Sequence, residues 1–257
     1  MPTRTLRGVY SPELKNRRDV DIYLPASYRH TEERYPVVYM HDGQNLADPS
    51  KAFAGTWELD AVLDQIARRG VEPIVVGIHH GDRARLTEYS PFTDRRHGGG
   101  EADAYLEFVA ATIKPRIDRL FRTRPERDAT AIVGSSMGGL VSLYAYFRFP
   151  SIFGRAGVIS PSIWFGQGLV LDFIKEARTP PAGRIYLDVG TAEGAGTLRD
   201  VRRLGRLLVQ KRFTRDRRGR PRQGRSRLRY VEDQGGRHSE GDWARRLPSA
   251  LEFLLTA

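Results

Sequence analysis

Apolar residues recur with a short spacing in some segments of the chain and with a longer spacing in others. The segments with the short spacing are predicted to be strands. Two segments near the start alternate apolar and polar positions, which is typical of an antiparallel pair at the edge of a sheet. Later runs are short, apolar and rich in β-branched residues, as in strands buried on both faces of a parallel sheet. The edge pair is predicted at 3–10 and 17–24, and the buried strands at 35–40, 73–78, 130–133, 155–159, 184–189 and 226–232.

Apolar residues spaced three and four apart predict helices between these strands. The first has the start signal of Thr56 followed by Glu58, and Gly70 ends it. The segment 101–120 contains Pro115, which predicts a kink or a boundary. The predicted helices are 56–69, 101–120, one from Leu140 to Phe147, 169–177, 197–213 and 239–255.

Strands that alternate with helices predict an α/β fold with a mostly parallel sheet covered on both faces. No internal repeat or compositional boundary divides the sequence, so we expect a single domain over 1–257. In such sheets ligands bind at the carboxyl ends of the strands. Candidate site residues should therefore follow strands directly.

The sequence Gly134-Ser135-Ser136-Met137-Gly138-Gly139 stands where a buried strand turns into a helix. This is the G-x-S-x-G pattern of a nucleophile elbow, with Ser136 at the apex. An ordinary turn is the alternative, and a phosphate-binding P-loop lacks its lysine here. The strand before the serine and the helix after it favour Ser136 as a nucleophile.

A serine nucleophile needs a base, and six histidines compete for that role. Only His238 follows both the serine and a candidate acid, which is the chain order of α/β-hydrolases. It lies in a glycine turn between the last strand and the last helix. A solvated loop histidine is the alternative, but the elbow and the chain order favour His238 as the base.

Four carboxylates are candidates for the acid that orients the histidine. Glu193 stands just past a strand end and ranks first, because a loop carboxylate there can reach the imidazole. Asp188 lies inside a strand and would need a buried partner. Asp200 is on a helix, and Asp233 is close to His238 in sequence but on a short tether.

Two backbone N–H groups are candidates for an oxyanion hole. One belongs to Met137, directly after the serine, and the other to Gln44, after Asp42-Gly43; a mere tight turn at Asp42-Gly43 is the alternative. Aromatic residues expected to rim the pocket and contact substrate are Trp57, Tyr89 and Trp164, although each could equally pack in the core. The adjacent His79 and His80, with His41, do not predict a metal site, and no cofactor is expected.

Composition limits the remaining function classes. The absence of cysteine excludes disulfides, thiol catalysis and cysteine-ligated metal. No apolar run approaches a membrane span and no signal peptide is evident, so we expect a cytoplasmic protein without a membrane partner.

The net charge of +11 is concentrated in one segment. Ten Lys or Arg and one acidic residue fall within 211–229, which we interpret as an exposed basic arm. Its only aromatic is Phe213, so the interleaved aromatics of a base-stacking surface are missing and nucleic acid is not the expected partner. The charge gives no indication of the oligomeric state.

Together these motifs resemble the putative-esterase family of the α/β-hydrolases, which includes enterochelin esterases. The resemblance covers the chain from about residue 20 onward. It rests on YMHDGQN at 39–45, TWE at 56–58, EYSP at 88–91, GSSMGG at 134–139, LDVGT at 187–191 with Glu193, and GRH at 236–238 with Trp243.

The resemblance implies a sheet of about eight strands and a serine esterase that acts on small-molecule esters. It implies Ser136 as nucleophile, His238 as base, Glu193 in the acid position, and Gln44 with Met137 as oxyanion donors. Two alternatives stay open at this point. The chain could be an acyltransferase of the same family, or a non-catalytic binding protein on a hydrolase scaffold that docks phosphate or an acidic partner through its basic arm.

Overall fold

The structure is a computed structural model that describes residues 4–50, 52, 55–215 and 226–256. Its strands follow the predicted ones closely, with one short addition. They are β1 (Arg4–Ser11), β2 (Asn16–Tyr23), β3 (Val37–Met40), β4 (Ile74–Ile78), β5 (Thr130–Ser135), β6 (Arg155–Ile159), β7 (Arg184–Gly190), β8 (Thr214–Arg215) and β9 (Arg227–Asp233).

The nine described strands form one sheet in the order β1-β2-β4-β3-β5-β6-β7-β9-β8. The predicted edge pair is present, because β1 and β2 are antiparallel and β2 runs antiparallel to β4. All other neighbours are parallel. The mixed α/β fold with a large, mostly parallel sheet is thereby confirmed, with nine strands where about eight were expected.

Helices connect the parallel strands and cover both faces. They are α1 (Leu59–Ala67), α2 (Arg85–Glu88), α3 (Ala102–Glu107), α4 (Lys114–Leu120), α5 (Met137–Arg148), α6 (Leu169–Glu176), α7 (Ala195–Gln210) and α8 (Glu240–Leu255). None of the helices in the described part of the chain combines the length and apolarity that crossing a membrane requires.

Successive residues of the central strands point into two separate cores. Tyr39 and Ile132 belong to the larger core, which α3 to α7 cover. Met40 and Val133 belong to the smaller core, which α1 and α8 cover. Strands that bury both faces explain why their sequences are continuously apolar rather than alternating. The carboxyl ends of these strands meet at one edge of the sheet.

The predicted helix at 101–120 is interrupted by a π-helical segment, Phe108–Ile113, between α3 and α4. Pro115 lies just inside the start of α4. Proline has no N–H to donate to the carbonyl four residues earlier, so a regular α-helix cannot run through this position without losing a hydrogen bond. The helix boundary therefore falls next to Pro115, as predicted.

The basic arm at 211–229 needs a correction in its described parts. Thr214–Arg215 and Arg227–Leu228 pair as parallel strands at the sheet edge, so the segment contributes to the sheet at both of its ends. Phe213 is buried against the rings of Tyr146 and Phe147. An aromatic side chain anchored in the core holds the chain to the sheet edge there. The remainder of the predicted arm, 216–225, lies outside the described residues.

Candidate active site

Ser136 lies at a sharp bend between β5 and α5, with φ 56° and ψ −120°. L-residues rarely adopt this conformation, which is concentrated at functional sites. The bend brings backbones so close that a Cβ on Gly134 would lie 2.8 Å from the carbonyl carbon of Gly138. A Cβ on Gly139 would lie 2.8 Å from the carbonyl oxygen of Ile159. The glycines of the motif are thus required by space.

Ser136 opens into a cavity of about 480 Å³ at the carboxyl edge of the sheet. His238 borders the same cavity, but no hydrogen bond joins its ring to the Ser136 hydroxyl. Within the described part of the chain, Ser136 Oγ hydrogen-bonds instead to Ser162 Oγ at 3.1 Å. The cavity is lined by Asp42, Asn45, Trp57, His80, Arg85, Ser135, Ser136, His238, Glu240 and Trp243.

His238 lies in the turn between β9 and α8, and its side chain is 42% exposed. Its Nδ1 forms a 2.7 Å hydrogen bond with Glu193 Oε2. The ring packs edge-on against Trp243, with centroids 4.9 Å apart. These two contacts fix the orientation of the imidazole, while its second nitrogen is left for another partner.

Glu193 follows β7, and its side chain is fully buried. Its Oε1 accepts hydrogen bonds from Ser160 Oγ at 2.5 Å and from the N–H of Gly190 at 2.7 Å. Burial alone would raise the pKa of Glu193, but the hydrogen bonds from His238, Ser160 and Gly190 outweigh it and lower the pKa. Glu193 is therefore a carboxylate at neutral pH.

Ser160 and Arg246 support Glu193 from behind, and sequence reasoning identified neither. Ser160 has φ 43°, and its hydroxyl accepts hydrogen bonds from Trp243 Nε1 and Arg246 Nη2. Arg246 is 5% exposed and also lies 3.5 Å from Glu193 Oε1. The sequence could have indicated the role of Arg246, because this charged residue falls on the apolar stripe of α8 beside Leu247. A charge at such a position needs a buried partner.

The other three candidate acids have partners of their own. Asp188 is fully buried, and burial raises its pKa to about 7 against the opposing charge of Arg246, 3.3 Å away. Asp233 forms a two-bond ion pair with Arg245. Asp200 lies on α7 beside Arg199. Among the four candidates, only Glu193 hydrogen-bonds to His238.

The two predicted oxyanion donors lie at the ends of neighbouring strands, Met137 after β5 and Gln44 after β3. Met137 is the first residue of α5, where a backbone N–H has no acceptor within the helix. Gln44 follows Gly43, whose Cα packs so tightly on β4 that a Cβ would lie 2.5 Å from Gly77. Gln44 borders the neighbouring cavity rather than the one that contains Ser136, and its Oε1 accepts from His80 N. Their catalytic role stays a prediction.

The three predicted substrate-contact aromatics differ in position. Trp57 lines the cavity and packs against Trp243, with ring centroids 5.9 Å apart. Tyr89 is fully buried, and its hydroxyl accepts from the N–H of Asp42, so it supports the cavity wall rather than lining it. Trp164 is 50% exposed, contacts His97 and does not line this cavity.

Three charged side chains, Asp42, Arg85 and Glu240, line the cavity that contains Ser136. Arg85 donates two hydrogen bonds, of 2.7 and 2.8 Å, to the carboxylate of Asp42. Glu240 stands at the start of α8, and burial together with the nearby Asp42 charge raises its pKa. Among the described residues, no group of three or more His, Asp or Glu side chains could hold a metal ion.

Residues 11–254 match the model of the family described as "Putative esterase". The uncharacterized protein YbbA of Bacillus subtilis is 27% identical over 97% of both chains. The crystal structure of the BES protein from Bacillus cereus has a TM-score of 0.78 at 20% identity, and covers 100% of this chain and 97% of that one. The enterobactin esterase FES from Shigella flexneri, solved in the presence of enterobactin, has a TM-score of 0.75 at 21% identity, and covers 99% of this chain and 59% of that one.

The family match spans nearly the whole chain, and the solved structures share its fold. The chain therefore belongs to the Putative esterase family of the α/β-hydrolase superfamily and is a carboxylic ester hydrolase.

Proposed function

We propose that the chain is a serine esterase that works through an acyl-enzyme, with Ser136 as nucleophile, His238 as base and Glu193 as the orienting acid. One observation carries this proposal. A buried carboxylate holds His238 at 2.7 Å beside the cavity into which the strained Ser136 opens. Nucleophile, base and orienting acid are the three roles that acyl transfer requires.

The hydrogen bond to Glu193 assigns the imidazole tautomer. When Nδ1 carries the proton and donates to the carboxylate, Nε2 has a free lone pair and can accept the Ser136 proton. The Ser136 hydroxyl must first leave Ser162 and turn toward His238. Such contacts are often long in enzymes without substrate and tighten when substrate binds.

The reaction then proceeds in two halves. Ser136 Oγ attacks the ester carbonyl carbon as His238 takes its proton, and the resulting oxyanion is stabilised by the N–H groups of Met137 and Gln44. His238 returns the proton to the leaving alcohol, and the acyl group remains on Ser136. Water activated by the same histidine releases the acid. No step needs a cofactor.

We propose small-molecule carboxylic esters as the substrates. A protein of the same fold, the enterobactin esterase FES, was solved in the presence of enterobactin. The cavity of about 480 Å³ is in the range of sites that bind small ligands.

The test uses hydrolysis of p-nitrophenyl acetate and a fluorophosphonate probe that reacts with activated serines. We expect Ser136→Ala to lower kcat by about 10⁴-fold or more, and mass spectrometry to locate the probe on Ser136. Ser142→Ala is the matched control, since among the described residues this buried hydroxyl of α5 bonds only the carbonyl of Gly138 in its own helix. Full activity in Ser136→Ala would contradict the proposal.

A further inference from the structure

A cavity of about 1040 Å³ lies at the amino end of the sheet, beside β7, β8 and β9. Ala182 precedes β7, Thr214 belongs to β8 and Ser226 precedes β9, and all three line this cavity. Ser136 and His238 follow the carboxyl ends of their strands, so the cavity is separate from the candidate active site. Ester hydrolysis makes no use of it.

Positive side chains surround this cavity without acidic ones. Arg178, Lys211 and Arg212 line it, and a smaller cavity that shares Lys211 and Arg212 also has Lys175 in its lining. Among the described residues, no acidic side chain lines either cavity, and none of these cations forms an ion pair with a carboxylate. Because like charges held close together repel one another, a bound anion would stabilise them.

Cations at the C-terminus of a helix can serve the helix dipole instead of a ligand. Lys211 does so, because its Nζ donates at 3.0 Å to the carbonyl of Lys175 near the end of α6. Within the described part of the chain, the side chains of Arg178 and Arg212 have no such acceptor, and both residues are exposed. These two guanidinium groups are therefore available to a ligand.

The backbone of Arg212 has a conformation that favours glycine. The residue follows the end of α7 with φ 66°, and its N–H bonds the carbonyl of Val209. Helices often end with glycine in this left-handed conformation, since a Cβ makes it costly. An arginine here lowers stability, which points to a use for its side chain.

Unused hydrogen-bond donors lie behind the wall of the cavity. Arg127 donates from Nη1 to the carbonyl of Ala182, whereas its buried Nη2 has no partner among the described residues. The Tyr146 hydroxyl is buried and equally unpaired there. Burial raises the pKa of Tyr146, and the nearby Ser226 and Arg127 act against it. The charge of Arg127 behind the lining residues makes the potential in the cavity more positive.

The lining indicates which anion fits. Two arginines beside one cavity match a phosphate, since each guanidinium can donate two parallel hydrogen bonds to its oxygens. Thr179, Thr214 and Ser226 add hydroxyl donors. Several cations favour an anion with several charges over a single carboxylate. Phe213 is the one aromatic residue in the described lining and is buried, which leaves no ring on which a nucleic-acid base could stack.

We propose that the cavity at the amino end of the sheet binds the phosphoryl groups of a small, soluble di- or triphosphate through Arg178 and Arg212. The site is separate from Ser136 and does not depend on the proposed esterase chemistry.

Isothermal titration calorimetry with inorganic pyrophosphate at low salt tests the site. We expect saturable binding to one site, at least about tenfold tighter than the binding of citrate, a carboxylate probe of similar charge. Arg178→Gln with Arg212→Gln should weaken pyrophosphate binding at least about tenfold. Arg203→Gln with Arg206→Gln is the matched control. It removes the same charge from exposed positions of α7 that line neither cavity, and should change the affinity less than about threefold.

Arg212→Gly separates binding from stability. Glycine relieves the strain at φ 66°, so this variant should have a higher Tm without ligand, as measured by circular dichroism. The same change removes one guanidinium and should weaken pyrophosphate binding at least about threefold. A variant that is more stable and binds less has not lost its affinity through unfolding.

Three results would overturn the proposal. Equal affinity for pyrophosphate and citrate would exclude a phosphoryl site. Undiminished binding in the Arg178→Gln, Arg212→Gln variant would exclude these two residues as ligands. Retention on heparin without any binding of pyrophosphate would indicate a surface for polyanions instead of a small-molecule site.

Discussion

Each oxygen of the Glu193 carboxylate has its own set of partners. Oε2 meets His238, while Oε1 is held by Ser160, by Gly190 N and more distantly by Arg246. An amide cannot satisfy this arrangement, because one of its two ends would present donors to groups that are themselves donors. The side chain at position 193 thus constrains both the tautomer of His238 and the packing of Ser160, Gly190 and Arg246.

Glu193→Gln should lower kcat by about 10² to 10⁴, since the tautomer with a free Nε2 is no longer favoured. The measurement is steady-state hydrolysis of p-nitrophenyl acetate at pH 7. Asp233→Asn removes a carboxylate that pairs with Arg245 instead and should change kcat less than about threefold. Equal losses in the two variants would argue against Glu193 as the orienting acid.

His41 is a buried histidine beneath the elbow, with its Nδ1 bonded to the hydroxyl of Tyr105. Burial lowers its pKa from 6.5 to about 3, so the folded protein keeps it neutral where the unfolded chain takes up a proton. The unfolded state therefore gains stability as the pH falls below 6.5. We expect His41 to cost the folded state about 1.4 kcal/mol per pH unit between pH 6 and 4.

His41→Gln should flatten this part of the pH dependence of the unfolding free energy, whatever its effect at pH 7. Urea titrations from pH 7.5 to 4 measure the slope. The exposed His30→Gln variant is the control. An unchanged slope in His41→Gln would show that other groups cause the acid sensitivity.

At the scale of elements, helix α8 packs behind the residues that hold Glu193. Its face carries Trp243 and Arg246 into contact with Ser160, and Arg246 is the cation between Asp188 and Glu193. Without that cation, the buried Asp188 would lose the charge that favours its ionised form. Removing one member of a buried charge cluster is far costlier than breaking a surface ion pair.

Arg246→Met should lower the free energy of unfolding by about 3–5 kcal/mol. The neighbouring Arg245→Met, whose side chain is 56% exposed, should cost less than about 1 kcal/mol. Urea unfolding followed by circular dichroism compares the two. In the double variant Arg246→Met with Asp188→Leu, part of the loss should return, because one uncompensated charge is gone.

Most strands and helices could be predicted from the sequence, because the spacing of apolar residues in each element follows from which of its faces are buried. The strand residues 131–133 are all apolar, since Ile132 and Val133 enter different cores. The chain order of Ser136, Glu193 and His238 was readable for a related reason, as each follows a strand end. The Ser162 contact and the Ser160–Arg246 support were not, because they join loops and helices far apart in sequence. Such contacts depend on tertiary packing alone.

At the scale of the whole molecule, the described ends of the basic segment, 211–215 and 226–229, lie at the end of the sheet opposite the candidate site. Residue 226 leads into β9 at its amino end, whereas His238 follows its carboxyl end, and seven strand residues span about 20 Å. We therefore expect the charge of the segment to be separable from the chemistry at Ser136.

Replacing Arg217, Arg218, Arg220, Arg222 and Arg225 together by Gln removes five of the +11 charges. Retention on a heparin column should shift to lower salt, while kcat/KM for p-nitrophenyl acetate should change less than about twofold. The same number of Arg→Gln changes on α7 and at Arg178 serves as the comparison. Equal retention before and after the five changes would remove the basis for an acidic partner at this segment.

Ser160, Gly190 and Arg246 bind Glu193 Oε1, and this arrangement has a consequence for how the enzyme can evolve. The acid is fixed by groups that do not include the histidine, so the imidazole can swing away and return to an unmoved counter-charge. The turn that carries the ring is nevertheless tied to the segment that leads to Glu193, because the carbonyl of Gly236 accepts a hydrogen bond from the N–H of Ala192. A change in the length of that turn would therefore displace the loop of Glu193 as well as the ring of His238, so the two must evolve together.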